Sequence, residues 1–196
     1  LKEGPAEYSS HLFVEWKDGH EAFVDLVKDN QQFVLEECHV QDEGFHPLSP
    51  MPDEHIYGRH TYYKGASIMH NLRAYLGDEV FRQAGQDVIA ARFDSHMDVT
   101  DFEMLLEEAT GEDLTPFFEA QVLQPGFSTW VLDSMSTGPE NGCFATTLHL
   151  HQKLRACQNF HENEPLDVTL WDAQWDTTLV HARVGGEFDQ ITFQHE

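Results

Sequence analysis

The apolar pattern changes period once, near Phe127, and that change restricts the chain to two segregated parts. Before it, apolar residues recur three or four positions apart, the spacing of one helix face. Tyr8, Leu12, Phe13 and Trp16 make a first stripe, which Asp18-Gly19 interrupts. Phe23, Val24, Leu26, Val27, Phe33, Val34 and Leu35 resume it, so residues 3–41 are predicted helical. Residues 42–60 hold three prolines and two glycines within GFHPLSPMPDEHIYGRH and are expected to be irregular. Residues 61–76 form the clearest helix, with Ile68, Met69, Leu72, Tyr75 and Leu76 on one stripe and Gly77-Asp78 at its end. Val80, Phe81, Ala84, Val88, Ile89 and Phe93 mark the next helix. Thr100 with Glu103 predicts a capping box for another, and Asp113 a cap for a short helix over 114–122.

After Phe127 the pattern alternates, with turn residues about every ten positions, as in an antiparallel sandwich. Segments 130–132, 145–151, 166–171 and 178–184 are the expected strands, and Gly138-Pro139, Asn141-Gly142, Asn163, Pro165 and Gly185-Gly186 the expected turns. The fold class is therefore α+β, with an all-α part over 1–127 and an antiparallel β domain over 128–196.

Charge narrows the partners. Asp and Glu number 35 against 11 Lys and Arg, a formal net charge of −24. Nucleic acid is excluded, because phosphate contacts need clustered cations. Such a surface is either ordinary solvated acid or a mark of a salty habitat, where screening relieves self-repulsion. No apolar run approaches the roughly 18 residues of a membrane span, and the compartment stays open among cytoplasm, periplasm and the exterior. The spacing of Cys38, Cys143 and Cys157 matches neither a zinc knuckle nor a redox pair. Free buried thiols are expected, with a Cys143–Cys157 disulfide as the alternative in an oxidising compartment.

Two short motifs remain, EGPAEY at 3–8 and TYYKGAS at 61–67, followed by LGDEVF, LLEEATGEDL and FFEAQVLQPG. In this order they closely resemble the zinc metalloaminopeptidases related to aminopeptidase N. The resemblance is strong over the first two thirds of the chain and only architectural beyond Phe127. It implies the helical lobe of a thermolysin-like peptidase domain followed by a β-sandwich-like domain. It also implies that Glu3, from E-G-x-A, is a zinc ligand and that Tyr62, from Y-x-K-G, stabilises the transition state. Zinc accepts carboxylate oxygen and histidine nitrogen, and a phenol can donate a hydrogen bond to the oxyanion of a peptide under attack. One zinc ion in the intact protein and a peptide substrate, cut at its N-terminal residue, follow from the same likeness.

The H-E-x-x-H helix that such an enzyme needs is missing. His20-Glu21 meets Val24 where the second histidine belongs, and His161-Glu162 runs into Asn163, Glu164 and Pro165. Family spacing sets the motif roughly twenty residues ahead of Glu3, so the chain is expected to be a piece of a longer protein. The isolated piece is then expected to be inactive, to hold no zinc and to self-associate through uncovered helix faces. No G-x-M-E-N segment is present, so the preferred N-terminal residue stays unread. A non-catalytic relative acting as a binding scaffold is the alternative.

Other candidates have plainer readings. Tyr63 is expected to pack, and Gly65 to let helices approach closely. His149 and His151 face one side of a strand and read as a solvated face, with metal binding alongside His161 as the alternative. Trp171 and Trp175 read as core or turn packing, or as an aromatic platform. Pro5 and Gln121 depart from the family pattern, which has an aromatic residue and a tryptophan there.

Overall fold

Glycine backbones divide the helices. The structure is a computed structural model describing residues 2–140 and 142–195. Helix α1 (Glu3–Asp18) ends at Gly19, which starts α2 (His20–Phe33) with φ 95°. Gly77, at φ 83°, plays the same part between α4 (Gly65–Leu76) and α5 (Asp78–Ala91). A side chain is disfavoured at such angles, so glycine turns the chain at once. After α2 the helix widens into a π-turn (Val34–Cys38) and closes with α3 (His39–Gln41). A second π-turn (His60–Lys64) leads into α4, in place of the uniform helix expected over 61–76. Helices α6 (Val99–Thr110) and α7 (Thr115–Gln121) complete the layer. Among the described residues Pro5 falls in the first turn of α1, where a missing N–H costs nothing.

The cap of α6 differs from expectation. Asp98 accepts the Asp101 N–H at 2.8 Å, and Thr100 lies inside the helix. Asp113 accepts the Thr115 N–H at 3.1 Å, beside α7.

One core gathers Leu48, Ile68, Leu72, Tyr75, Val88, Leu106 and Phe118 between α4, α5, α6 and α7. A second joins Tyr8, Phe23, Val27 and Ala66 between α1, α2 and α4. Phe13 and Trp16 stay out of it. The buried face of α1 is Gly4, Tyr8 and His11, and the two aromatics lie off that face against each other, centroids 5.6 Å apart. Arg73 of α4 ties the helices together. It donates to Glu15 at 2.7 Å and to Asp78 at 2.8 Å, and it sits over the Phe23 ring. Gln121 has a polar partner, accepting from Asn71 at 2.8 Å.

The chain divides into two compact units between Gly126 and Phe127. In the second, β1 (Phe127–Glu140), β2 (Cys143–Arg155) and β5 (Phe188–His195) form one antiparallel sheet in the order β1-β2-β5. β3 (Glu164–Trp171) and β4 (Thr177–Val184) form a two-stranded antiparallel sheet. Leu148 and Leu150 meet Val184 across the gap, with Trp130, Leu166, Val168, Ile191 and Phe193 around them. Gly138-Pro139 and Pro165, expected in turns, lie in strands, and Asn141 of the expected Asn141-Gly142 turn lies outside the described residues. β1 is an edge, where a proline lacks no obligatory ladder bond.

Candidate active site

Helices α1 and α4 meet at two glycines. A Cβ added to Gly4 would lie 2.7 Å from the Gly65 Cα, and one added to Gly65 would lie 2.7 Å from the Gly4 Cα. Only two residues without side chains allow backbones this close. Gly4 follows Glu3, and Gly65 lies three after Tyr62, so the contact draws together side chains about sixty positions apart. The Glu3 side chain is only 18% exposed and carries the Lys2 ammonium 3.2 Å from Oε1. Tyr62 is half-buried. Desolvation, then the charge and hydrogen bonding of Glu3, hold its phenol above the usual pKa. The two residues singled out by sequence therefore stand side by side.

The turn that carries Tyr62 is braced from behind. Asp42 lies 18 positions before His60, and its carboxylate accepts the backbone N–H groups of Arg59 at 2.9 Å and His60 at 2.7 Å. It also meets His60 Nδ1 at 2.7 Å. Burial opposes its charge, yet these bonds outweigh burial and keep the carboxyl below its ordinary range. Burial, only partly offset by Asp42, lowers the His60 pKa. Asn30 reaches from α2 to donate to the Tyr63 carbonyl at 2.9 Å and to Ser67 Oγ at 2.8 Å. Lys64 is buried and donates to the Gln124 carbonyl at 3.0 Å, a structural use of its charge. Cys38, fully buried nearby, has its thiol pushed up to about 12 by burial and then by Asp42. Such a thiol is inert at neutral pH.

The remaining candidates separate. Tyr63 packs against Phe33 with the rings tilted and their centroids 4.4 Å apart. His151 pairs with Asp133 at 2.6 Å, whereas His161 is buried against Glu164. The two therefore share no site, and among the described residues no group of three His, Cys, Asp or Glu could hold a metal ion. Trp171 and Trp175 lie at the surface, packed edge to face at 5.8 Å, and do not enter the core. Cys143 and Cys157 flank opposite ends of β2, a span of roughly 40 Å. No disulfide can join them, and the expectation of burial holds only for Cys38. Asp42 and Asn30 had no sequence signal, because a lone polar residue bonding distant backbone has no period.

A family model described as the Peptidase family M1 domain matches residues 1–121. The chain is 26% identical over 117 residues to probable aminopeptidase 1 of Sulfurisphaera tokodaii, covering 59% of this chain and 15% of that protein. It is 28% identical over 135 residues to aminopeptidase M1-C of Oryza sativa subsp. japonica, covering 65% of this chain and 15% of the relative. The chain thus spans about 15% of the length of these relatives. Its fold is similar to that of Legionella pneumophila aminopeptidase A, solved in complex with aspartic acid. The TM-score is 0.67 at 16% identity, over 98% of this chain and 21% of that one.

Proposed function

The chain belongs to peptidase family M1, and from that premise we propose that it carries one side of the active site of a zinc-dependent aminopeptidase. The observation behind this reading is the adjacency of Glu3 and Tyr62 across the Gly4–Gly65 contact. Glu3 supplies one carboxylate donor for the metal. It is a largely covered carboxylate beside a phenol, which suits a zinc ligand. Among the described residues no group of three His, Cys, Asp or Glu could hold a metal ion, so Glu3 is read as one donor and not as a site by itself. When bound, zinc polarises a peptide carbonyl and activates water.

Tyr62 acts on the reacting oxygen. Its raised pKa keeps the phenol protonated at neutral pH, so it remains a donor. As negative charge develops on the scissile carbonyl, the O–H bond to it strengthens and lowers the barrier. The Gly4–Gly65 contact and the Asp42 brace hold that O–H in place, which avoids reorganisation during the reaction. The substrate is a peptide, and the product its freed N-terminal residue.

The isolated chain is read as inactive and unable to retain zinc. It exposes Phe13, Trp16, Ile89 and Phe93, and self-association through them is expected. A monodisperse monomer that leaves an apolar dye dark would count against this.

The full-length protein tests the main reading with amino-acid anilides, with and without a chelator. Chelator-sensitive turnover is expected, and the Glu3→Ala variant should lose bound zinc by elemental analysis. Turnover indifferent to chelator, or a Glu3→Ala protein with full zinc content, would reject the assignment.

A further inference from the structure

The turn between β3 and β4 runs against ordinary hairpin chemistry. Trp171 pairs with Thr177 at the end of the ladder. Beyond that pair the Trp175 N–H donates to the Asp172 carbonyl, and the Asp172 N–H to the Asp176 carbonyl, both at 3.1 Å. The result is a three-residue loop closed by one left-handed residue, a common hairpin form. Glycine or asparagine suits that last position. Here it is Trp175, at φ 68°. A bulky side chain at positive φ is strained.

Burial does not offset the strain, because Trp175 is 76% exposed and Trp171 61%. The loop is nevertheless firmly held. Asp172 Oδ1 accepts the backbone N–H groups of Gln174 and Asp176, both at 2.8 Å. A pinned turn therefore presents two indoles to solvent, with centroids 5.8 Å apart and planes at 71°. Two ring faces near a right angle make an open corner. Backbone strain that packing does not offset is typical of ligand clamps. Charge around the corner selects the occupant. Asp172 and Asp176 flank Trp175 in an exposed segment, 171–179, of a chain whose formal net charge is −24. Indole faces attract cations, as carboxylates do. A guanidinium answers both at once: its plane stacks on an aromatic face while its edge donates to a carboxylate. A neutral sugar ring could stack, but it gains nothing from the acids.

We propose that the Trp171–Trp175 corner docks a guanidinium group, the arginine side chain of a basic segment in a partner protein. One indole face covers the guanidinium plane, the other walls the corner, and the exposed Asp176 carboxylate accepts from the N–H edge. The acidic surface draws such a segment in from a distance. This surface is independent of the zinc chemistry assigned to Glu3 and Tyr62.

The strained position supplies a test in which lost binding cannot be mistaken for lost folding. The full-length protein is titrated against a fluorescein-labelled tetra-arginine peptide and followed by fluorescence anisotropy. Trp175→Gly removes one indole and should weaken binding about fivefold. Hydrogen exchange over residues 164–184 should stay unchanged or slow down in that variant, because glycine suits the backbone there. Asp176→Asn should also weaken binding several-fold, since a charged acceptor is lost. Trp16→Ala, which removes a 79% exposed indole from α1, should leave affinity alone. Binding unmoved by Trp175→Gly or Asp176→Asn, an equal loss in Trp16→Ala, or faster exchange over 164–184 in Trp175→Gly would overturn the proposal. So would displacement of the peptide by the neutral sugar cellotetraose.

Discussion

Replacing Gly65 with alanine tests whether the glycine contact sets the site. The new Cβ would sit 2.7 Å from the Gly4 Cα and 3.3 Å from the Gly4 nitrogen, both backbone atoms that cannot swing aside. Carbon atoms rest at about 3.5–4.0 Å, so the two helices would have to part by roughly 1 Å. Overpacking of this kind costs about 1–3 kcal/mol. Alanine returns up to about 1 kcal/mol through helix propensity, so a net loss of roughly 1–2 kcal/mol is expected. Gly85 in α5 is the matched control, since nothing lies within 4 Å of a Cβ placed there. Gly85→Ala should gain about 0.5–1 kcal/mol. Urea titrations of the two variants should therefore move in opposite directions from wild type. Under the proposed aminopeptidase reading, a shift near 1 Å between Glu3 and Tyr62 should lower the full-length protein's kcat by about 10²-fold. A Gly65→Ala protein stabilised like Gly85→Ala, with unchanged turnover, would refute the idea that this contact positions the site.

Other outcomes follow from the same geometry. Tyr62→Phe in the full-length protein should cut kcat by about 10²–10³ with little change in KM, since only the transition-state donor is lost. Arg73→Met should cost about 1–3 kcal/mol in urea titration, because Glu15 and Asp78 lose charged hydrogen bonds that join α1 to α4 and cap α5. The two units should respond oppositely to pH. Burial lowers the pKa of His11, His60 and His70, so the helical unit's stability is present above about pH 6.5 and falls as acid protonates them. His161 is raised to about 9, so its contribution is full below about pH 6.5 and is lost as pH climbs through about 9. Limited proteolysis with peptide mapping should open the helical unit first at pH 5 and the β unit first at pH 9. The reverse order would contradict both assignments.

The legible parts of the sequence were those with a period or a motif. The helices followed from apolar spacing, and Glu3 and Tyr62 from motifs only six and seven residues long. Gly65 was readable as a point of close approach, but its partner Gly4 was not, because sequence names no opposite face. Phe13 and Trp16 misled for a related reason: an aromatic near an apolar stripe need not be on its buried side. β5 escaped notice because its inward positions are Asp189, Ile191, Phe193 and His195, half of them polar. Asp42 bonds to backbone 17 and 18 positions away, and such contacts arise only once the loop has closed.

The wide turn from His60 to Lys64 amounts to a hidden insertion. Closing one loop of the spiral with an extra residue gives the segment one more side chain than an α-turn would carry. That surplus allows Tyr62 and Tyr63 to stay partly open while His60, Thr61 and Lys64 are covered. Deleting Tyr63 or Lys64 would tighten the coil and rotate everything upstream, Tyr62 included, by roughly 100° relative to Gly65. The phenol would then swing off the Glu3 side without any change to its own chemistry, so the spacing of this segment is as much a part of the site as the tyrosine itself.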